Sequence, residues 1–178
     1  MRQSISRIHG RNPVTNNSQS ITTAIPQQQE ISSISLSVEI RPILINDVDL
    51  YWPEVSPLIE KSLEYGMAKY EWTIDGILDV LYKGEKSLWV IFKDNNIIAA
   101  VITSVTDYTY TGKRAASIDF AGGSDFSSWS MFTDYIEPVY KALNCDIITI
   151  AGRLGWLRLH TDKGYKSIYH VIGKSLNG

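Results

Sequence analysis

The sequence predicts an α/β domain on a mixed, mostly antiparallel sheet flanked by helices, with an extended N-terminal arm ahead of it. Three observations predict this class. Strand-type and helix-type periodicities alternate from Val38 to the C-terminus. The middle of the chain reads as an antiparallel meander with tight polar turns. Residues 1–37 contain no Trp, Tyr, Phe, Lys, Asp or Cys, and all 5 tryptophans lie beyond them. A segment so poor in large apolar groups cannot offset roughly 1–2 kcal/mol of backbone entropy per residue, so it is expected to be ordered only on a partner. The chain therefore divides into an arm, 1–37, and one domain, 38–178. A length of 178 residues with 44% apolar side chains suits a single core.

Val38 to Ile43 has the character of a first strand, ended by Pro42 and followed by the helix-starting Asn46 and Asp47. Val48 to Glu64 places Val55, Leu58, Ile59, Ser62 and Leu63 on one helical face. Pro53 and Pro57 should push the regular part late, and Gly66 should close it. Thr73 caps a second helix with Ile74, Ile77, Leu78 and Leu81 at helical spacing and Gly84 at its end.

Ser87 to Phe92, Asp94-Asn95-Asn96 and Ile97 to Val105 form a hairpin; a turn around Gly112 leads to Ala115–Ala121, which Gly122-Gly123 ends. Beyond Ser127 or Ser128, Trp129, Phe132, Ile136, Val139, Tyr140 and Leu143 keep helical spacing, with Pro138 expected to kink the helix. Asp146 to Ile150 has the composition of a buried strand, Arg153 to Asp162 of a short helix, and Tyr165 to Ile172 of a closing strand.

Charge and composition exclude several function classes. With 17 basic against 19 acidic residues there is no global basic field, so specific nucleic-acid binding is not expected. The mild total conceals a division: Arg2, Arg7 and Arg11 against Glu30 in the arm, and 14 basic against 18 acidic residues from Val38 onward. The early arginines and serines also suit an organelle transit peptide, but Pro13 and Asn16-Asn17 confine any amphipathic helix to about the first dozen residues. The arginines are candidate partner contacts. Cys145 alone excludes an internal disulfide, 3 scattered histidines give no metal-ligand spacing, and no apolar run is long enough to cross a membrane.

The element order, together with Trp52-Pro53, Pro57-Leu58-Ile59-Glu60, Leu88-Trp89-Val90, Ala99–Thr103, Gly122-Gly123, Trp129 and above all Gly152-Arg153-Leu154-Gly155-Trp156-Leu157-Arg158, resembles the GNAT acetyltransferase fold. Gly164-Tyr165-Lys166, Tyr169 and Lys174 complete the pattern. More narrowly, residues 38–176 resemble a GNAT-like family common in tailed bacteriophages. The resemblance implies a sheet that splays between its fourth and fifth strands to admit acetyl-CoA.

It also implies sites. The pyrophosphate turn should fall at Ala121–Ser128, making Gly122, Gly123 and Ser124 cofactor contacts, with Arg153 and Trp156 close by. Asp125 puts a negative charge there, and the family's Gln/Arg-x-x-Gly-x-Gly/Ala pattern is absent. In the last helix the family's Asn, Ala and Tyr positions hold Arg153, Trp156 and His160.

His160 is chemically competent to protonate a departing thiolate, and at a helix end it equally suits a capping or surface role. Tyr169 and Tyr165 are alternative acids or packing groups. Asp119, within a strand, is a candidate base or half of an ion pair, and strict alternation would set it on the face opposite Ile118 and Phe120. Arg153, Trp156 and Arg158 suit stacking or anion binding, or else packing and local pairing.

The expectation is a phage virion or head-assembly protein with degenerate acetyl-CoA motifs, in the virion or the host cytoplasm. Its arm would contact portal, capsid or connector proteins, and oligomers are possible. The alternative is an active acetyl-CoA-dependent N-acetyltransferase of unknown acceptor.

Overall fold

The computed structural model describes residues 37–65, 68–152, 154–174 and 176. Five strands form one sheet in the order β1 (Val38–Ile43), β2 (Lys86–Lys93), β3 (Asn96–Tyr108), β4 (Lys113–Gly123) and β5 (Ile147–Ile150). The first four are antiparallel neighbours, and β5 runs parallel to β4. That last pairing needs a crossover, supplied by α4 (Phe126–Trp129) and α5 (Phe132–Ala142).

The turns follow local chemistry. Asp94 and Asn95 join β2 to β3 with φ of 51° and 65°, the left-handed pair of a two-residue hairpin turn. Gly112, at φ 65°, turns β3 into β4. The hydroxyl of Thr73 accepts from the Gly76 amide at 3.1 Å and caps α3 (Ile74–Tyr82), which Gly84 follows at φ 69°.

Side-chain alternation then separates two cores. On one face, Leu88, Val90, Ala100, Ile102 and Phe120 meet Val55, Ile59, Ile77 and Leu81 of α1 (Val48–Leu63) and α3. On the other, Trp89, Ile91, Val101, Ala116 and Ile118 meet Trp129, Phe132, Ile136 and Tyr140. A buried triad ties the second core, as the Trp89 indole and the Tyr140 hydroxyl both donate to Thr103 Oγ1, at 2.9 and 2.5 Å.

Several expectations are corrected. Helix α1 starts at Val48 and contains both Pro53 and Pro57, because Val48, Val55, Ile59 and Leu63 are buried along one stripe and packing overrides the lost backbone bonds. Gly66 lies outside the described residues. The helix after Gly123 is two, broken at Ser130-Met131, and Val139 and Leu143 of the expected face are exposed. β5 is an edge strand rather than a buried one, since it pairs only with β4 among the described strands and Ile147 is exposed. Residues 165–172 form no strand and most of them are exposed. Helix α2 (Ala68–Glu71) is short, and α6 (Leu154–His160) continues into a 3₁₀ turn, Thr161–Lys163, ended by Gly164 at φ 89°.

Gly122 fixes how closely α1 approaches the sheet. A Cβ there would lie 1.8 Å from the Leu58 carbonyl oxygen, so Gly122→Ala should destabilise the protein by about 3 kcal/mol, readable as a lowered denaturation midpoint. Gly155→Ala, with nothing within 4 Å, should change stability by less than about 1 kcal/mol. Equal effects of the two would contradict this packing.

Candidate functional site

β4 outlasts its parallel partner. Ala115–Ile118 pair with Ile147–Ile150, and β4 then continues to Gly123 with no described strand on that side. The parting coincides with a bulge: Ile102 faces Phe120 and Thr103 faces Ile118, so Asp119 is the extra residue. The bulge sends Ile118 and Phe120 into different cores, which corrects the strict alternation expected around Asp119.

Aromatic side chains fill the wedge between the free end of β4 and α6. Phe126 meets Trp129 and Trp156 at ring-centre distances of 4.7 and 5.5 Å, and Trp156 meets His160 at 5.5 Å. His160 in turn meets Tyr165 at 5.3 Å. With Val101, Ile118, Ala121 and Thr133 around them, they leave no space for a water molecule. Gly152 permits this closure, since a Cβ there would lie 2.6 Å from the Trp156 ring.

The turn after β4 is equally committed. A Cβ on Gly123 would lie 2.5 Å from both Ala99 Cβ and the Ile98 carbonyl. The Ser124 amide donates to the Ile98 carbonyl at 2.9 Å, and the Ser124 carbonyl accepts from the Trp129 indole at 2.9 Å. Asp125 follows at φ 47°, and its carboxylate accepts from Lys93 Nζ (2.7 Å), Ser127 Oγ (2.8 Å) and Ser128 Oγ (2.5 Å). Lys93 above all, then the two serines, hold that carboxyl well below the usual carboxylate range. Within this turn the site residues thus hold a resident anion and not an open cradle. A pyrophosphate at this turn would meet the Asp125 charge and a Ser124 amide already bonded, and a pantetheine arm in the wedge would meet Trp156. Among the described residues, the turn and the aromatic cluster as they stand offer acetyl-CoA no open cradle.

The structure brings Trp156 and His160 together with Phe126 and Trp129, and separates them from the other candidates. His160 is only 2% exposed, so it is not a surface group. Its Nδ1–H donates to the Trp156 carbonyl at 3.0 Å, leaving Nε2 as the ring's remaining proton site. Tyr169 is 73% exposed. Tyr165 donates its hydroxyl to Glu137 at 3.0 Å, and burial together with Glu137 raises its pKa.

Asp119 accepts from Lys86 at 2.5 Å, half-buried, with the Lys86 ammonium 4.9 Å from the Trp72 ring centre. Arg158 is exposed, while Arg2, Arg7, Arg11 and Arg153 lie outside the described residues. Asp146 accepts from Lys113 Nζ and the Arg114 amide. Burial raises the Cys145 thiol pKa. Among the described residues no cluster of His, Cys, Asp and Glu could hold a metal, and no helix is long and apolar enough to cross a membrane. Sequence reasoning missed Lys93, Lys86 and Phe126. Lys93 was legible as the last residue before a hairpin turn, but its partner lies 32 residues away.

Comparison with solved structures assigns the fold. The chain resembles ribosomal-protein-alanine N-acetyltransferase from Brucella melitensis biovar Abortus, with a TM-score of 0.55 and 12% identity over 79% of this chain and 100% of that one. A Clostridium acetobutylicum protein described as a predicted acetyltransferase with acetyl-CoA gives 0.54 and 15% over 79% and 97%. An aminoglycoside N-acetyltransferase in complex with CoA gives 0.56 and 9% over 80% and 97%. The chain has the GNAT acetyltransferase fold. No protein-family model and no curated protein sequence matches it.

The lowered Asp125 pKa stabilises the folded turn above the ordinary carboxylate pKa of about 4, and this contribution is lost as pH falls. Asp125→Asn should therefore lower the melting temperature at neutral pH, with the gap to wild type closing in acid. A gap unchanged by pH would contradict the assignment.

Proposed function

We propose that this domain uses the GNAT fold as a binding scaffold rather than for acetyl transfer. In this reading it serves as a virion or head-assembly protein of a tailed phage, with residues 1–37 engaging portal, capsid or connector proteins. The observation that supports the non-catalytic part is the filled wedge: Phe126, Trp156 and His160 pack together with no water-sized space among them, and the Asp125 carboxylate in the turn is already bound by Lys93. The phage assignment rests on the resemblance of the Gly152–Arg158 stretch and on an arm whose composition calls for a partner.

A second reading, an acetyl-CoA-dependent N-acetyltransferase of unknown acceptor, is favoured by the fold comparisons, which include proteins solved with acetyl-CoA and CoA. Those comparisons support the enzyme better than they support assembly, on which they are silent.

Calorimetry with acetyl-CoA separates the two. The scaffold reading expects no binding tighter than about 1 mM. Micromolar binding by the wild-type protein would overturn it in favour of the enzyme. For the assembly part, removal of residues 1–37 should leave a folded domain by circular dichroism and abolish incorporation into particles; retained incorporation would contradict the arm's role.

A further inference from the structure

The β3–β4 hairpin runs past both of its neighbours. β2 pairs with β3 no further than Ser104, and β5 with β4 no further than Ala115, so residues 107–114 project as a two-stranded ribbon. Internal bonds hold that ribbon in one shape. Arg114 donates twice to the Asp107 carboxylate, at 2.6 and 3.1 Å, and once to the Leu143 carbonyl at 3.1 Å. The Asp146 carboxylate accepts from the Arg114 amide and from Lys113 Nζ, both at 2.9 Å. At the turn the Thr111 and Gly112 amides donate to the Tyr108 carbonyl, at 3.1 and 2.9 Å.

The groups this ribbon displays do nothing for the fold. Tyr110 is fully exposed and Tyr108 half exposed, although a large aromatic ring gains by burial. Among the described residues the hydroxyls of Thr109 and Tyr110 have no hydrogen-bond partner. With Asp107, Tyr108, Thr111 and Lys113 they line an open cleft of about 640 Å³, within the roughly 300–1,000 Å³ of small-ligand sites. The charges there are paired already, Asp107 with Arg114 and Lys113 with Asp146. What remains is ring faces and hydroxyl groups without uncompensated charge. A nucleic-acid strand would also stack on tyrosines, but it needs a basic groove that the paired Lys113 and Arg114 do not supply. The matching ligand is uncharged, carries hydroxyl groups and has a flat C–H face to lie on a ring. Sugars have all three properties.

We propose that the tip of this hairpin, residues 107–113, binds a neutral carbohydrate. Pyranose C–H faces lie on the Tyr108 and Tyr110 rings, and sugar hydroxyls bond to Thr109 and to the tyrosine hydroxyls. Tyrosines suit the task because each offers a large amphipathic surface with only two side-chain torsions to fix. The Asp107–Arg114 clamp fixes the backbone before any ligand arrives, which lowers the ordering cost of binding. The tip lies at the end of the sheet opposite the Gly123 turn, so the proposal holds under either reading of the cofactor wedge.

Saturation-transfer NMR and calorimetry on the full chain test the proposal, with maltotriose, cellotriose and triacetylchitotriose as neutral probes. At least one should bind with a Kd of about 1 mM or tighter and be saturated through its ring C–H protons. Sodium chloride at about 0.5 M should leave that Kd unchanged, because no charge pair forms. Tyr110→Ala removes only an exposed ring, so its circular dichroism and melting temperature should match wild type while affinity falls at least about tenfold. The double variant Tyr108→Thr, Tyr110→Thr, which keeps strand-forming side chains, should abolish binding. Absence of binding by all three probes at about 10 mM, or binding that survives both variants, would overturn the proposal. So would a concentration-dependent dimer, seen by light scattering, that Tyr110→Ala dissolves, since the tip would then belong to a second copy.

Discussion

The parallel ladder between Ala115–Ile118 and Ile147–Ile150 constrains the rest of this molecule. Because β4 continues to Gly123 while β5 stops, the sheet opens at the Asp119 bulge, and whatever stands in the opening must satisfy an apolar wall of Val101, Ile118 and Ala121. Here the chain fills the opening itself. A large aromatic side chain gains about 1.5–3 kcal/mol on complete burial, so exposing the partly buried Phe126 and Trp156 costs less than roughly 3–6 kcal/mol together. A micromolar ligand binds with about 8 kcal/mol in total, so an invading cofactor would lose part of its affinity to that displacement.

The turn after β4 follows the same logic with charge in place of apolar area. A GNAT-type phosphate turn collects backbone amides around an anion. In this chain the Asp125 carboxylate at the turn is held by the side chains of Lys93, Ser127 and Ser128. The left-handed backbone of Asp125 is tolerable because aspartate adopts that region more readily than most residues. The Ser124 amide is drawn back to the Ile98 carbonyl.

Much of the fold was legible because local chemistry determined it. The Thr73 cap, the Asp94-Asn95 turn, Gly84 and the meander follow from residues a few positions apart. What escaped depended on distant partners. The bulge at Asp119 is set by the β3–β4 register, and strict alternation carries no sign of it. The prolines of α1 argued for a late start until the buried stripe from Val48 to Leu63 outweighed them. His160 looked like a helix-end residue, and only the convergence of Trp156 and Tyr165 shows why it is buried. β5 and residues 165–172 share the composition of buried strands, a property that composition cannot convert into a partner. The site was half legible: the turn and the Trp156 helix were located, but the aromatic contacts that close the space between them were not.

The scaffold proposal turns on Trp129 and Trp156, which stand together in the closed aromatic cluster beside α6. Their indole N–H resonances, followed by two-dimensional NMR while acetyl-CoA is added to millimolar concentration, report on that place directly. The account predicts that both stay where they are, with Trp129 still donating to the Ser124 carbonyl. A saturable shift of both resonances would contradict it.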